Sequence, residues 1–327
     1  MQIYDDQLVV VTGGAGFIGS CVLRHLNDKG LRNLAVVDEL GTSEKWKNLV
    51  GKQFIDIIPK HQLFDWLKGK EHLIRAFIHL GACSSTVEKD ASYLLENNYR
   101  FTVNLAEYAL QHNHRFIYAS SAATYGDGAE GFRDSHHELQ KLAPLNMYGY
   151  SKHLFDLWAA QKGILDKIVG LKYFNVFGPN EWHKGRMAST IMHVVPTAVK
   201  EGKIRLFKSN DPQFADGGQQ RDFVYVKDVA RMTCAFLENE AAGIFNIGTG
   251  KAETWNDLAR AIFKALNLPE NIEYIDMPAD LKGKYQNYTC ADMTKTRQAL
   301  GSIAECQPLE KAVIDYVQNY LRPEKRW

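Results

Sequence analysis

The sequence predicts an α/β fold: a doubly wound parallel sheet joined to a smaller α/β substrate domain. Three observations carry that expectation. Leu8-Val9-Val10-Val11-Thr12 is a short continuous apolar run, the pattern of a strand buried on both faces. A glycine-rich turn follows it at once and opens into a helical pattern. Seven strand-like runs then alternate with helical ones through residue 248, the order that parallel strands with right-handed crossovers produce.

Composition narrows the class. With 327 residues there is enough chain for a large domain or two modest ones. A net charge of +1 gives no electrostatic footprint for nucleic acid or a membrane surface. No apolar run is long enough to span a bilayer, and the acidic start, Met1 to Asp6, is unlike a signal peptide. The five cysteines are scattered without metal-ligand spacing, so reduced thiols, no metal site and a cytoplasmic location are expected.

Taken in order, the glycine turn is Gly13-Gly14-Ala15-Gly16-Phe17-Ile18-Gly19, with glycines at 13, 16 and 19. Between a strand and a helix (Val22, Leu23 and Leu26 forming the apolar face), such a turn lets backbone and helix N-terminus approach a diphosphate. The second strand, Leu34 to Asp38, ends in an acid roughly 20 residues on, where a ribose hydroxyl is held. Asp38 by itself points to NAD. Lys45 and Lys47 would suit the 2′-phosphate of NADP, so the two cofactors remain open.

Phe54 to Ile58 reads as the third strand and Ala76 to Leu80 as the fourth. The fourth runs into Gly81-Ala82-Cys83-Ser84-Ser85-Thr86, whose small residues would let a dinucleotide lie across the sheet edge. His79 reads as a satisfied core histidine and Cys83 as a space-filler. A helix from about Tyr93 to Gln111 carries Asn97 and Asn98. Arg115 to Ala119 is the fifth strand, followed by Ser120 and Ser121. Asp127 to Lys141 reads as a loop.

Tyr148 and Lys152 lie four residues apart at the start of a helical run, which puts both on one face; Tyr150 points elsewhere. An ammonium beside the phenol favours phenolate, so the Tyr148 pKa is expected to fall toward working pH. Such a group can take a proton from an alcohol as hydride leaves the same carbon. Ile168 to Phe174 is the sixth strand, ending in a turn at Asn175 to Pro179. Beyond it come a polar loop with His183, Lys184 and Arg186, a helix from Ser189 to Lys200, and a short strand to Phe207. A flexible insertion from Asp211 to Gln220 leads to Arg221 and a further strand-to-helix turn. Gly243 to Gly248 is the seventh sheet strand. A helix from Thr254, a strand at Ile272 to Ile275 and a closing helix from about Leu309 complete the chain.

The glycine spacing, Ser121, Tyr148 and Lys152 together resemble the extended short-chain dehydrogenase/reductase superfamily, over nearly the whole chain. Ala122-Ala123 stands where its 4,6-dehydratases carry Asp-Glu, which removes the groups needed to expel water. Four longer strings are similar to the ADP-glycero-manno-heptose 6-epimerase family: Gly81 to Thr86, Tyr118 to Gly126, His183 to Ser189, and Arg221 to Val226. This resemblance implies a Rossmann-like fold, NADP as cofactor (NAD possible), an ADP-heptose substrate destined for lipopolysaccharide inner core, and a homo-oligomer.

It also implies site residues. Gly13, Gly16, Phe17, Ile18, Gly19, Asp38, Glu39, Lys45, Lys60, the run Leu80, Gly81, Ala82, Cys83, Ser84, and Asn97, Lys152 and Val176 match cofactor positions, with Lys184 beside them. Tyr148 and Lys184 match two acid/base positions, with Lys184 expected to be tuned by burial and nearby cations. Lys152 tunes Tyr148, and Ser121 holds the reacting oxygen. Asn175, Arg186, His193, the run Phe207, Lys208, Ser209, Asn210, and Arg221 and Tyr285 match substrate contacts. Glu39 stands where that family has asparagine, and residues 211–220 lengthen a substrate-side loop.

The expected division is 1–176 with about 222–250 for the dinucleotide and about 177–221 with 251–327 for the substrate. The competing readings are a UDP-hexose 4-epimerase, a net reductase, and a dinucleotide-binding regulator without catalysis. The His183-Lys184-Gly185 loop and Tyr285 argue against the first, and the presence of both Tyr148 and Lys152 argues against the last.

Overall fold

The computed structural model describes residues 7–278 and 286–327. In chain order the elements are β1 (Leu8–Thr12), α1 (Phe17–Asp28), β2 (Leu34–Val37), β3 (Asp56–Ile58), α2 (Leu63–Leu67), β4 (Ile74–His79), α3 (Ala91–Leu94), α4 (Phe101–Gln111), β5 (Arg115–Ser121) and α5 (Met147–Gln161). There follow β6 (Ile168–Tyr173), β7 (Asn175–Phe177), α6 (Thr190–Glu201), β8 (Ile204–Phe207), β9 (Gln220–Arg221), β10 (Phe223–Tyr225), α7 (Val226–Ala235) and β11 (Gly243–Ile247). The last are β12 (Glu253–Thr254), α8 (Trp255–Leu266), β13 (Ile272–Ile275), α9 (Thr294–Leu300) and α10 (Leu309–Tyr316).

The seven runs read from the sequence are the seven strands of one sheet, in the order β3-β2-β1-β4-β5-β6-β11, paired in parallel throughout. Val9, Val10 and Val11 are wholly buried, as a strand covered on both faces requires. α1 packs with α7, and α5 with the α3 end of the α3–α4 helix. The chain leaves β1 in one direction to β2 and β3, and returns through β4 to β5 and β6. The crevice therefore opens beyond the carboxyl ends of β1 and β4, where strand order reverses.

Several elements depart from the sequence expectation. β5 runs on to Ser121, so both serines sit on the sheet edge. The helix placed at about 93–111 begins at Ala91 and passes through a π-helical turn, Leu95–Arg100, which carries Asn97 and Asn98. Residues 175–177, expected as a turn, pair in parallel with β10. Short 3-10 turns at His136–Lys141 and Trp182–Met187 lie within segments expected as loops, and α9 was not anticipated.

Residues 211–220 are tied down along their length. Gly217 N–H donates to Phe207 C=O (3.3 Å), Ser209 N–H to the Asp216 carboxylate (2.8 Å), and Gln220 N–H to Asn287 C=O (2.8 Å). Gln219 is buried, and β9 pairs with β12. A second layer is built on the parallel pair β8–β13, with α8 packed against both α6 and α10. α8 opens with a Thr254–Asp257 capping box, which fixes where Trp255 leaves the backbone.

Candidate active site

A cleft of about 660 Å³ lies between the sheet edge and the second layer. On the sheet side it is lined by Gly13, Gly16, Phe17, Ile18, Gly19, Asp38, Lys45 and the run Leu80 to Ser84, with Ser121, Tyr148, Lys152, Asn175 and Val176. Lys184 faces it from the opposite loop. An adjoining recess of about 230 Å³ adds Glu39, Lys60 and Asn97. The residues matched to cofactor positions thus fall in one connected space.

Backbone geometry explains the glycines. Gly13 has φ +68°, and a Cβ there would stand 2.6 Å from Gly81 N. At Gly19 a Cβ would collide with the Gly13 carbonyl, so α1 could not pack this close to the turn. Gly16, the N-cap of α1, offers no capping side chain, and the helix has no acid in its first turn. Its leading N–H groups are left for an anion in the cleft. The Asp38 carboxylate accepts from Ala15 N–H (2.8 Å) and Glu39 N–H (2.8 Å), and ion-pairs with Lys45 (2.6 Å). Lys60 donates to Asn97 Oδ1 (2.6 Å). These residues fit a nicotinamide dinucleotide: a diphosphate at the turn and helix end, a ribose at Asp38, and cations further out.

α5 starts at Asn146, whose Oδ1 accepts from Gly149 N–H (2.8 Å). One turn on, Tyr148 and Lys152 share a face that lines the cleft, while Tyr150 is 45% exposed. The Ser121 side chain lines the cleft with the Tyr148 phenol. The phenol's pKa moves opposite to the sequence expectation: burial raises it, and Ser121, which lowers it, only partly offsets the rise. The Lys152 ammonium is not the dominant influence, because it turns to Ala119 C=O (2.9 Å), and burial lowers its own pKa to about 8. Behind it Asp156, wholly buried, accepts from Tyr118 (2.9 Å), Ser120 (2.8 Å) and Lys172 (2.8 Å).

Lys184 lies on the 3-10 turn, with Nζ 5.0 Å from the centre of the Phe17 ring. Burial lowers its pKa and Glu181 opposes the shift; the nearby cations expected from the sequence are not among the causes. Glu181 is wholly buried and closes the loop on itself, accepting from Ser189 N–H (2.6 Å), Ser189 Oγ–H (2.5 Å) and Tyr316 (2.9 Å).

The matched substrate residues are more dispersed. Arg186 and His193 are exposed and lie outside the cleft lining, as does the run Phe207 to Asn210, where Lys208 pairs with Asp276 (3.0 Å). Arg221 is buried behind the cleft wall, donating to Gln220 C=O (2.8 Å) and Gln286 C=O with its guanidinium 5.9 Å from the Trp255 ring. Tyr285 falls outside the described residues. Sequence reasoning missed Trp255, which lines the cleft with its buried indole N–H unpaired, and Phe223 and Leu258 beside it. Only tertiary packing brings these to the site. Among the described residues no group of three His, Cys, Asp or Glu side chains is placed to hold a metal ion, and no helix is long and apolar enough to cross a membrane.

The dinucleotide crevice and the Ser-Tyr-Lys group define a protein of nicotinamide-linked hydride chemistry. Residues 9–248 match the NAD dependent epimerase/dehydratase family, to which the chain belongs. More particularly, it is 50% identical over 317 residues to the ADP-L-glycero-D-manno-heptose-6-epimerase of Nitratidesulfovibrio vulgaris, covering 96% of this chain and 98% of that protein. The crystal structure of the Helicobacter pylori ADP-L-glycero-D-manno-heptose-6-epimerase superposes with a TM-score of 0.80 at 27% identity, covering 96% of each chain. The UDP-glucose 4-epimerase of Thermus thermophilus, in complex with NAD, superposes with a TM-score of 0.72 at 25% identity, over 97% of this chain and 99% of that one.

Proposed function

We propose that the protein epimerises ADP-D-glycero-D-manno-heptose to ADP-L-glycero-D-manno-heptose at C6″, supplying a sugar donor for lipopolysaccharide inner core. The observation that carries this reading is the presence in one cleft of two proton-transfer side chains on different elements, Tyr148 on α5 and Lys184 on the facing loop. A nicotinamide held by the residues of the cleft would supply a reversible hydride acceptor at C6″, so that no net redox change would remain. Inversion requires the intermediate carbonyl to present its other face between the two transfers, and this moves its oxygen. One acid/base cannot follow that oxygen to both positions. Tyr148 serves one and Lys184 the other, while Ser121, which lines the same cleft, holds the reacting oxygen beside Tyr148. Asn175 orients the sugar from the cleft wall, and Arg221, with Trp255, is assigned to the ADP end.

NADP is favoured over NAD because Lys45 stands at the ribose end within 2.6 Å of Asp38, where it can turn to a 2′-phosphate. Residues 1–176 with about 222–250 hold the dinucleotide, and about 177–221 with 251–327 hold the substrate. The five free thiols suit a reducing cytoplasm, and a homo-oligomer is the working assembly. The deciding experiment incubates the purified protein separately with the ADP-heptose and with UDP-galactose and follows each by NMR. Conversion of the heptose alone is expected; conversion of UDP-galactose alone would replace this reading with a hexose 4-epimerase. Mass spectrometry of the co-purifying nucleotide is expected to give NADP.

A further inference from the structure

Tyr148 is set by a helix, whereas Lys184 is carried by a loop, so something other than regular secondary structure must fix where its amine stands. Glu181 ties the two ends of that loop to each other, but this does not fix the loop relative to the cofactor turn. Asn48 makes that connection. It lies on a 3-10 turn, Glu44–Leu49, and is 1% exposed. Its Nδ2 donates to Ala15 C=O in the glycine turn (3.0 Å) and to Asn180 C=O at the root of the Lys184 loop (3.0 Å), and stands 3.3 Å from His183 Nδ1. Its Oδ1 accepts from Arg326 Nε–H (3.2 Å). The amide orientation follows from chemistry, since two carbonyls require the nitrogen and a guanidinium requires the oxygen. The two carbonyls use both amide protons, and the imidazole nitrogen stands beside them.

Asn180 extends the tether. It is wholly buried, with φ +77°, and its side chain accepts from Trp327 N–H (2.9 Å) while donating to Trp327 C=O (3.0 Å) and Ser20 Oγ (3.0 Å). Ser20 lies in α1, so the loop root is held from the cofactor helix as well.

We infer that Asn48 is a positioning residue: by bridging the glycine turn and the root of the 180–189 loop, it sets the stand of the Lys184 amine over Phe17 and hence over the reacting carbon. The inference rests on the epimerase reading for its catalytic consequence. Its structural part is independent of that reading. Only a short side chain with two N–H donors and one acceptor makes these bonds. In Asn48→Asp the shape is kept and a carboxylate oxygen faces two carbonyls; in Asn48→Ser the side chain no longer spans them.

The test uses the full chain with its bound cofactor and has two readouts. The first is steady-state kinetics on the ADP-heptose. Both variants are expected to lose about 100-fold in kcat, the scale of a misplaced catalytic group, with KM and co-purifying cofactor unchanged. The second needs no substrate: acetic anhydride labelling, read by mass spectrometry, is expected to rise about tenfold at Lys184 as the loop opens locally, with Lys152 unchanged as an internal reference. Unaltered labelling of Lys184 in the variants overturns the tether whatever the activity, and raised labelling with wild-type kcat overturns its catalytic consequence. If the unmodified protein fails to epimerise the heptose, the functional reading fails and the labelling alone decides the tether. Should Asn48→Asp not fold, Asn48→Ser and Arg326→Met, which removes the donor orienting the amide, carry the same comparison.

Discussion

Tyr148 and Lys184 are both withdrawn from water, and burial pushes their pKa values in opposite directions, the phenol up and the ammonium down. Burial thus favours the uncharged form of each, the form in which a phenol donates a proton and an amine accepts one. On the proposed reading, Tyr148→Phe and Lys184→Met each lower epimerisation by about 10²- to 10⁴-fold, the usual worth of a placed acid/base, and each retains dinucleotide. Wild-type turnover in Lys184→Met would sink the two-sided mechanism. The Asp156–Lys172 pair below α5 has a different part. Both partners are wholly buried, so Lys172→Met leaves an uncompensated carboxylate and is expected to cost about 3–5 kcal/mol of stability by urea unfolding. The same loss frees Thr124 and Asp156, which together hold the 120–124 corner under Ser121.

The helix running from α3 to α4 shows why an element can be legible while its function is not. The sequence places this helix near 93–111, yet nothing in it announces the π turn at Leu95–Arg100. The extra residue there turns Asn98 inward. Its side chain accepts from Cys83 N–H (2.9 Å) and donates to Cys83 C=O (2.9 Å) and Ser151 Oγ (3.0 Å), joining the loop after β4 to α5. Asn98→Leu leaves a buried N–H and C=O unpaired and is expected to cost about 1–3 kcal/mol, measured by chemical denaturation, with weaker dinucleotide binding because Cys83 lines that site. The sheet strands and the glycine turn were readable because burial on both faces and tight backbone approach restrict residue type locally. Trp255, Asn48 and Glu181 were not. Their roles come from contacts with residues far along the chain, and no local pattern encodes such contacts. The Tyr148 shift misled for a related reason: spacing brings Lys152 to the same face but says nothing of Ala119 C=O, which takes its ammonium.

Across the whole molecule, buried histidines set an acid limit. His79 is 1% exposed. Thr102 Oγ gives its proton to Asn98 C=O (2.6 Å) and so accepts from His79 Nε2–H (2.8 Å), leaving Nδ1 to accept from Thr12 (2.6 Å). Burial holds its pKa at about 3, and His136 and His183 are pushed down to about 4. Between pH 6.5 and these values the unfolded chain binds protons that the folded one does not, so stability falls as pH falls. His79 alone contributes about 1.4 kcal/mol per pH unit in that window. Thermal melts are therefore expected to show a declining midpoint from pH 6.5 to pH 5, and His79→Gln to flatten the decline; a flat profile in the unmodified protein would contradict the buried neutral state.

The latch between Arg326–Trp327 and the Asn48–Asn180 pair has a kinetic consequence. Arg326 and Asn48 are separated by 278 positions, so this contact closes one of the longest loops the chain can form, and loop closure of that span comes late. The β1–β4 crevice can assemble from residues far nearer in sequence. Refolding should therefore pass through a species that takes up dinucleotide before its second proton-transfer group is in place. In a stopped-flow experiment, binding of added NADPH, read by its own fluorescence, should recover in an earlier phase than turnover.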